Sequence, residues 1–308
     1  MTVDRYALSA AEAAMSVGCR ALEVADGVQG ARVPVHALYP TGAPPRAEAF
    51  GPYSLEVAMG APVVGAHLPL VAFSHGDGGT PWSLRHLAAH LARAGFAALM
   101  IEHTGNSRSD NSLAGTPANL ANRPRHARLA LDAAFADPAL GPVLAPGRAA
   151  VVGHSFGGYT ALAVAGGHPL ALPDQTPDGV AHPVSVEPDP RVVALVLLAP
   201  AIPWFMAPGA LADVRAPLLV RTGERDQLMP PAFVERILAG LPADTRDARM
   251  DYRVVPGAGH FAFLAPFPPE LAGPAFPPSQ DPPGFDRAAY HVHLCGEVLA
   301  FLRGALAG

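Results

Sequence analysis

The chain has 308 residues, half of them apolar, which suffices for a sizeable core, and a single domain spanning residues 1–308 is expected. Its 21 basic and 26 acidic side chains give a net charge of -5 with no long run of either sign. Nothing therefore marks a nucleic-acid or anionic-membrane surface, and a small molecule is the expected partner. Cys19 and Cys295 are too few for a disulfide framework and read as idle thiols of a cytoplasmic protein. Residues 1–16 contain Asp4, Arg5 and Glu12 and lack a basic start followed by an apolar core, so no secretory signal is expected there. No apolar run reaches membrane-spanning length, and stable membrane anchoring is not expected.

In chain order, residues 20–25 and 32–39 flank Asp26-Gly27 and Gly30 and read as an antiparallel hairpin at the edge of a sheet. Six β-branched strands follow, at 70–74, 96–101, 149–153, 192–198, 218–222 and 252–255. Helical periodicity marks 84–93, 123–135, 159–165, 232–241 and 288–306. Strands alternating with helices predict an α/β fold, a mostly parallel sheet with helices on both faces. Two proline-rich stretches, 168–190 and 266–283, read as long surface loops near a functional face.

The most informative stretch is 151–158, Val-Val-Gly-His-Ser-Phe-Gly-Gly, in which a strand runs through a Gly-x-Ser-x-Gly turn into a helix. Such a turn lifts a serine hydroxyl out of the sheet, and its glycines allow close backbone approach. Ser155 is thus the candidate nucleophile, and it needs a histidine to take its proton and a carboxylate to orient that histidine. Val254-Val255-Pro256-Gly257-Ala258-Gly259-His260 ends a strand with a glycine-flanked histidine, the candidate base. The preceding strand ends at Glu224-Arg225-Asp226; Asp226, farther out on its loop, is the expected acid, with Glu224 and Asp251 as alternatives. Upstream, Ser74-His75-Gly76-Asp77-Gly78-Gly79 follows a strand where an oxyanion hole takes its first backbone donor. The N–H groups of Asp77 and Phe156 are the expected pair, and Phe156 also opens a helix.

Residues 200–208 form an apolar loop, and Trp204, Phe205 and Met206, together with Phe261 after the base, are expected to line a pocket for a short acyl or alcohol group. Glu102-His103 also ends a strand and could border the pocket or bind a metal, but it lacks metal-ligand spacing and reads as a structural salt bridge or hydrogen bond. Neither a metal nor a cofactor is expected.

Together these segments resemble the α/β-hydrolases of the dienelactone-hydrolase-like group, and are similar to bacterial relatives of platelet-activating factor acetylhydrolase. The marks are Phe73-Ser74-His75-Gly76, Ile101-Glu102-His103, Gly153-His154-Ser155-Phe156-Gly157-Gly158, Gly223-Glu224-Arg225-Asp226 and the Pro256 to His260 turn. The resemblance implies an α/β-hydrolase fold and acyl-transfer chemistry on a small ester. Dienelactone hydrolases proper carry cysteine where this chain has Ser155, which favours ordinary ester hydrolysis over lactone opening. Thioester hydrolysis or acyl transfer by the same residues, and a non-catalytic binding module on the same fold, are the alternatives.

Overall fold

The structure, a computed structural model, describes residues 8–306; the first seven residues of the 1–16 segment lie outside it. Within the described residues a ten-stranded sheet comprises β1 Ser16–Leu22, β2 Val35–Thr41, β3 Arg46–Phe50, β4 Tyr53–Met59, β5 Leu68–Ser74, β6 Ala97–Ile101, β7 Leu144–His154, β8 Val192–Leu198, β9 Leu218–Gly223 and β10 Met250–Val255. Their spatial order is β10-β9-β8-β7-β5-β6-β2-β1-β4-β3. The six strands β5 to β10 are mutually parallel. Strands covered on both faces need no polar side, so β8 reads Val-Val-Ala-Leu-Val-Leu-Leu and is almost wholly buried.

The expected hairpin is the antiparallel pair β1 and β2, with Leu22 opposite Val35. A two-residue ladder between Ala25–Asp26 and Ala31–Arg32 carries it to the turn at Gly30. Beyond it lies a pair absent from the sequence reading: β4 runs parallel to β1, and β3 pairs antiparallel with β4.

The longer helices are α1 Arg85–Arg93, α2 Pro117–Ala136, α3 Phe156–Val164, α4 Pro231–Leu238 and α5 Arg287–Leu306. Helices α2, α3 and α4 pack on one face of the sheet, and α1 and α5 on the other. Helix α2 begins six residues before its expected start at 123, because Thr116 accepts from the Asn119 N–H at 3.2 Å and Pro117 occupies a first-turn position that needs no donor. It then continues through Pro124, which cannot donate to Leu120; the Tyr159 hydroxyl donates to the Leu120 carbonyl instead, at 2.9 Å. Because β5, β7, β9 and β10 are parallel, their carboxyl ends deliver the segments after Ser74, His154, Gly223 and Val255 to one edge of the sheet.

Candidate active site

Ser155 stands between β7 and α3 at φ 52° and ψ -118°, a conformation costly for any residue with a Cβ. Its surroundings hold it there: its N–H donates to Leu198 O at 3.0 Å, and its carbonyl accepts from the N–H groups of Gly158 and Ala201, both at 2.8 Å. The glycines of the turn are demanded by contact. A Cβ on Gly153 would sit 2.1 Å from Gly157 O, and one on Gly157 would sit 1.9 Å from Ser74 O. That second contact lets α3 start directly beside the carboxyl end of β5.

The structure brings Ser155, His260 and Asp226 together. Ser155 Oγ lies 2.8 Å from His260 Nε2, and His260 Nδ1 lies 2.8 Å from Asp226 Oδ2. The carboxylate accepts from Nδ1–H, which leaves Nε2 free to accept from the serine hydroxyl. Asp226 Oδ1 accepts from the N–H groups of Leu228 and Met229 at 2.9 and 2.8 Å, so both oxygens are committed. Of the alternative acids, Glu224 accepts from the Gly257 N–H at 2.8 Å, and Asp251 pairs with Arg221 and Arg253. Ser155 also stands beside the Gly76-Asp77 turn: a Cβ on Gly76 would approach Ser155 Cβ to 3.2 Å. The Phe156 N–H opens α3 and has no acceptor within the helix, and neither it nor the Asp77 N–H is spent in a turn or ladder hydrogen bond.

A cavity of about 260 Å³ opens above Ser155 and His260. Its apolar wall is Tyr53, Phe261, Leu264, Phe267 and Phe276, and Thr80 and Arg108 add polar groups. Of the four expected pocket residues only Phe261 lines it. Trp204 instead stacks on Phe156 at 4.6 Å between ring centroids and donates from Nε1 to Gln175 at 2.7 Å, while Phe205 is buried against Tyr159. Met206 points to solvent, 51% exposed. The physical reason is backbone direction: Ala199 turns through φ 43° and sends residues 200–208 down over α3, away from the cavity. The 266–283 segment does border the cavity, through Phe267, Phe276 and Pro278. Tyr53 escaped notice because β4 did, although its alternation of buried Tyr53, Leu55 and Val57 with exposed Ser54 and Glu56 carries a period-two signal.

Residues 69–216 match the family model described as "alpha/beta hydrolase fold". Ser155 lies inside that span, and Asp226 and His260 lie beyond it. A ferulic acid esterase from Streptomyces cinnamoneus superposes with a TM-score of 0.68 at 20% identity, covering 94% of this chain and 90% of its own. This chain has the α/β-hydrolase fold. Two further structures share the fold: a dienelactone hydrolase-like promiscuous phosphotriesterase from metagenomic libraries, with a TM-score of 0.57, 18% identity and coverage of 92% and 98%, and the dienelactone hydrolase of Anabaena variabilis, with 0.55, 19%, 92% and 96%. No curated protein matches the chain.

Beneath the site, this α/β-hydrolase fold carries a file of buried histidines. His75 donates from Nδ1 to Gly76 O at 2.7 Å and accepts the His103 N–H at Nε2. His103 Nε2 lies 2.8 Å from Ser74 Oγ, its Nδ1 meets His126 Nδ1 at 3.3 Å, and His126 Nε2 reaches Gln29 Oε1 at 2.8 Å. One set of neutral tautomers satisfies every link. Burial pushes the His75 pKa down to about 3 and that of His126 to about 4, and holds His103 well below its ordinary value, so the file is uncharged near neutrality. Glu102 accepts from the hydroxyls of Ser107 and Ser109. Among the described residues no group of three or more His, Cys, Asp or Glu side chains converges as metal ligands would, and no helix is long and apolar enough to cross a membrane.

Proposed function

We propose that this protein is a serine hydrolase that cleaves carboxylic esters of small or short-acyl substrates. The observation that carries the reading is the continuous hydrogen-bonded path from Ser155 Oγ through His260 to Asp226 at the floor of an apolar cavity. Ser155 Oγ attacks the ester carbonyl carbon as His260 Nε2 takes its proton, and Asp226 stabilises the resulting imidazolium. The carbonyl oxygen becomes an oxyanion facing the N–H groups of Asp77 and Phe156. His260 then returns the proton to the leaving alkoxide, which departs as alcohol and leaves an acyl-enzyme. Water, deprotonated by His260, attacks that ester, and collapse frees the acid and restores Ser155.

The names of the structural neighbours, an esterase and a dienelactone hydrolase among them, are in keeping with ester cleavage. The resemblance to relatives of platelet-activating factor acetylhydrolase adds an expectation of short acyl chains. A fluorophosphonate probe should label the wild-type protein and fail on Ser155→Ala, which should also lose turnover of p-nitrophenyl esters by at least about 10⁴-fold. Across a series varied in acyl length, activity should peak at short chains. Undiminished labelling of the alanine variant would refute the assignment. Product analysis with added alcohols, amines and thiols separates hydrolysis from acyl transfer.

A further inference from the structure

Arg123 is fully buried in α2, and the four hydrogen bonds it donates all end on neutral oxygens. Burying a guanidinium without a carboxylate partner is costly, and burial here lowers its pKa to about 9 against the opposing charge of Asp77. A chain retains such a group in its core only where its contacts do something an apolar side chain cannot. Those contacts lead to both sides of the proposed oxyanion site.

On one side Arg123 Nη2 donates to the carbonyl of His75, one peptide before the Gly76-Asp77 unit whose N–H is the first donor. Its Nη1 donates to Asn106 Oδ1 at 2.5 Å, and Asn106 Nδ2 in turn donates to the Asp77 carboxylate at 2.6 Å. On the other side the guanidinium carbon lies 4.6 Å from the centre of the Phe156 ring. Arg123 Nε donates to Thr160 Oγ1 at 3.1 Å, and that hydroxyl donates back to Phe156 O at 3.4 Å. One planar cation thus touches the two segments that carry the Asp77 and Phe156 N–H groups.

We propose that Arg123 is a positioning residue that fixes the spacing of the Asp77 and Phe156 N–H donors around the developing oxyanion, an inference that rests on the ester-hydrolase reading above. Donors placed in advance stabilise the transition state without reorganising, and the gain falls off sharply when either shifts. The ground-state ester makes weaker demands on the same donors. Loss of the tether therefore lowers kcat and spares KM.

The test is steady-state kinetics on a short-chain p-nitrophenyl ester with Arg123→Met and Asn106→Ala, each checked for folding by circular dichroism, beside the wild type and Ser155→Ala. Arg123→Met should lower kcat about 10²-fold and Asn106→Ala, which leaves the cation in place and cuts its link to Asp77, about tenfold. In both, KM should stay close to the wild-type value. A folded Arg123→Met with wild-type kcat, or a loss carried by KM in either variant, overturns the proposal. Should Arg123→Met fail to fold, Asn106→Ala decides by the same division between kcat and KM. The underlying reading fails separately, and takes the proposal with it, when the wild type turns over no ester or Ser155→Ala retains turnover.

Discussion

At His260 three acidic residues compete in sequence for the role of orienting partner, and their hydrogen bonds separate them. Asp226 gives one oxygen to the imidazole and the other to two backbone N–H groups, which locks its rotamer; Glu224 braces Gly257, and Asp251 neutralises arginines. Asp226→Asn should therefore cost about 10³- to 10⁴-fold in kcat, because an amide favours the wrong imidazole tautomer. Glu224→Gln retains an oxygen for Gly257 and should leave kcat nearly unchanged, and a loss as large as that of Asp226→Asn would transfer the role. The order Ser155, Asp226, His260 was readable because each follows a strand. The identity of the pocket wall was not, since Trp204 and Phe261 both trail strands with equally apolar company and differ only in where the backbone turns. Phe261→Ala should accordingly raise KM for short esters with little loss of fold stability. Trp204→Ala should lower stability by about 3 kcal/mol, measured by urea unfolding, and leave KM alone.

Among the elements, the turn joining β7 to α3 depends on space that only hydrogen leaves. Gly157→Ala would force a methyl into the Ser74 carbonyl, and with backbone on both sides neither partner can yield cheaply. The variant should unfold at a denaturant concentration lower by the equivalent of about 3 kcal/mol or more, or fail to accumulate; wild-type stability would show that the close approach of α3 to β5 is not needed. The parallel strands were legible because burial on both faces writes unbroken apolar runs. The edge strand β3 escaped because Arg46–Phe50 is mostly charged or alanine and exposed, and a strand that buries little leaves little pattern. Helix α2 was read only from 123, whereas the helix begins at Pro117 and so places Pro124 in its interior, where Leu120 O loses its helical donor. A hydroxyl from another helix repaired the break, and no window of local sequence contains that information.

For the molecule as a whole, the burial of so many imidazoles sets a limit on acid tolerance. His75, His154 and His291 have pKa values pushed down to about 3, chiefly by loss of solvation. An unfolded histidine takes up its proton near pH 6.5, so between that pH and about 3 the unfolded chain binds more protons than the folded one. Stability from these groups is complete above pH 6.5 and declines as the pH falls, by roughly 1.4 kcal/mol per pH unit for each histidine. Urea unfolding at pH 8, 6.5 and 5.5 should show a plateau and then a steep drop, and a flat profile to pH 5.5 would contradict it. The two thiols obey the same logic of burial: Cys19 and Cys295 are both buried, with pKa values pushed up to about 12. A thiol-reactive disulfide reagent should find neither in the native protein at neutral pH and both after denaturation.

His154 precedes the proposed nucleophile and donates from Nε2 to the main-chain carbonyl of His260 at 3.0 Å. That bond ties the residue before Ser155 to the backbone of His260. Under the proposed ester-hydrolase reading, a bulkier ester meets Phe267, Phe276 and Pro278 of the proline-rich 266–283 segment, which carry no part of the Ser155–His260–Asp226 contact. Exchanging that one segment should then alter substrate range while the spacing of Ser155 and His260 stays as it is.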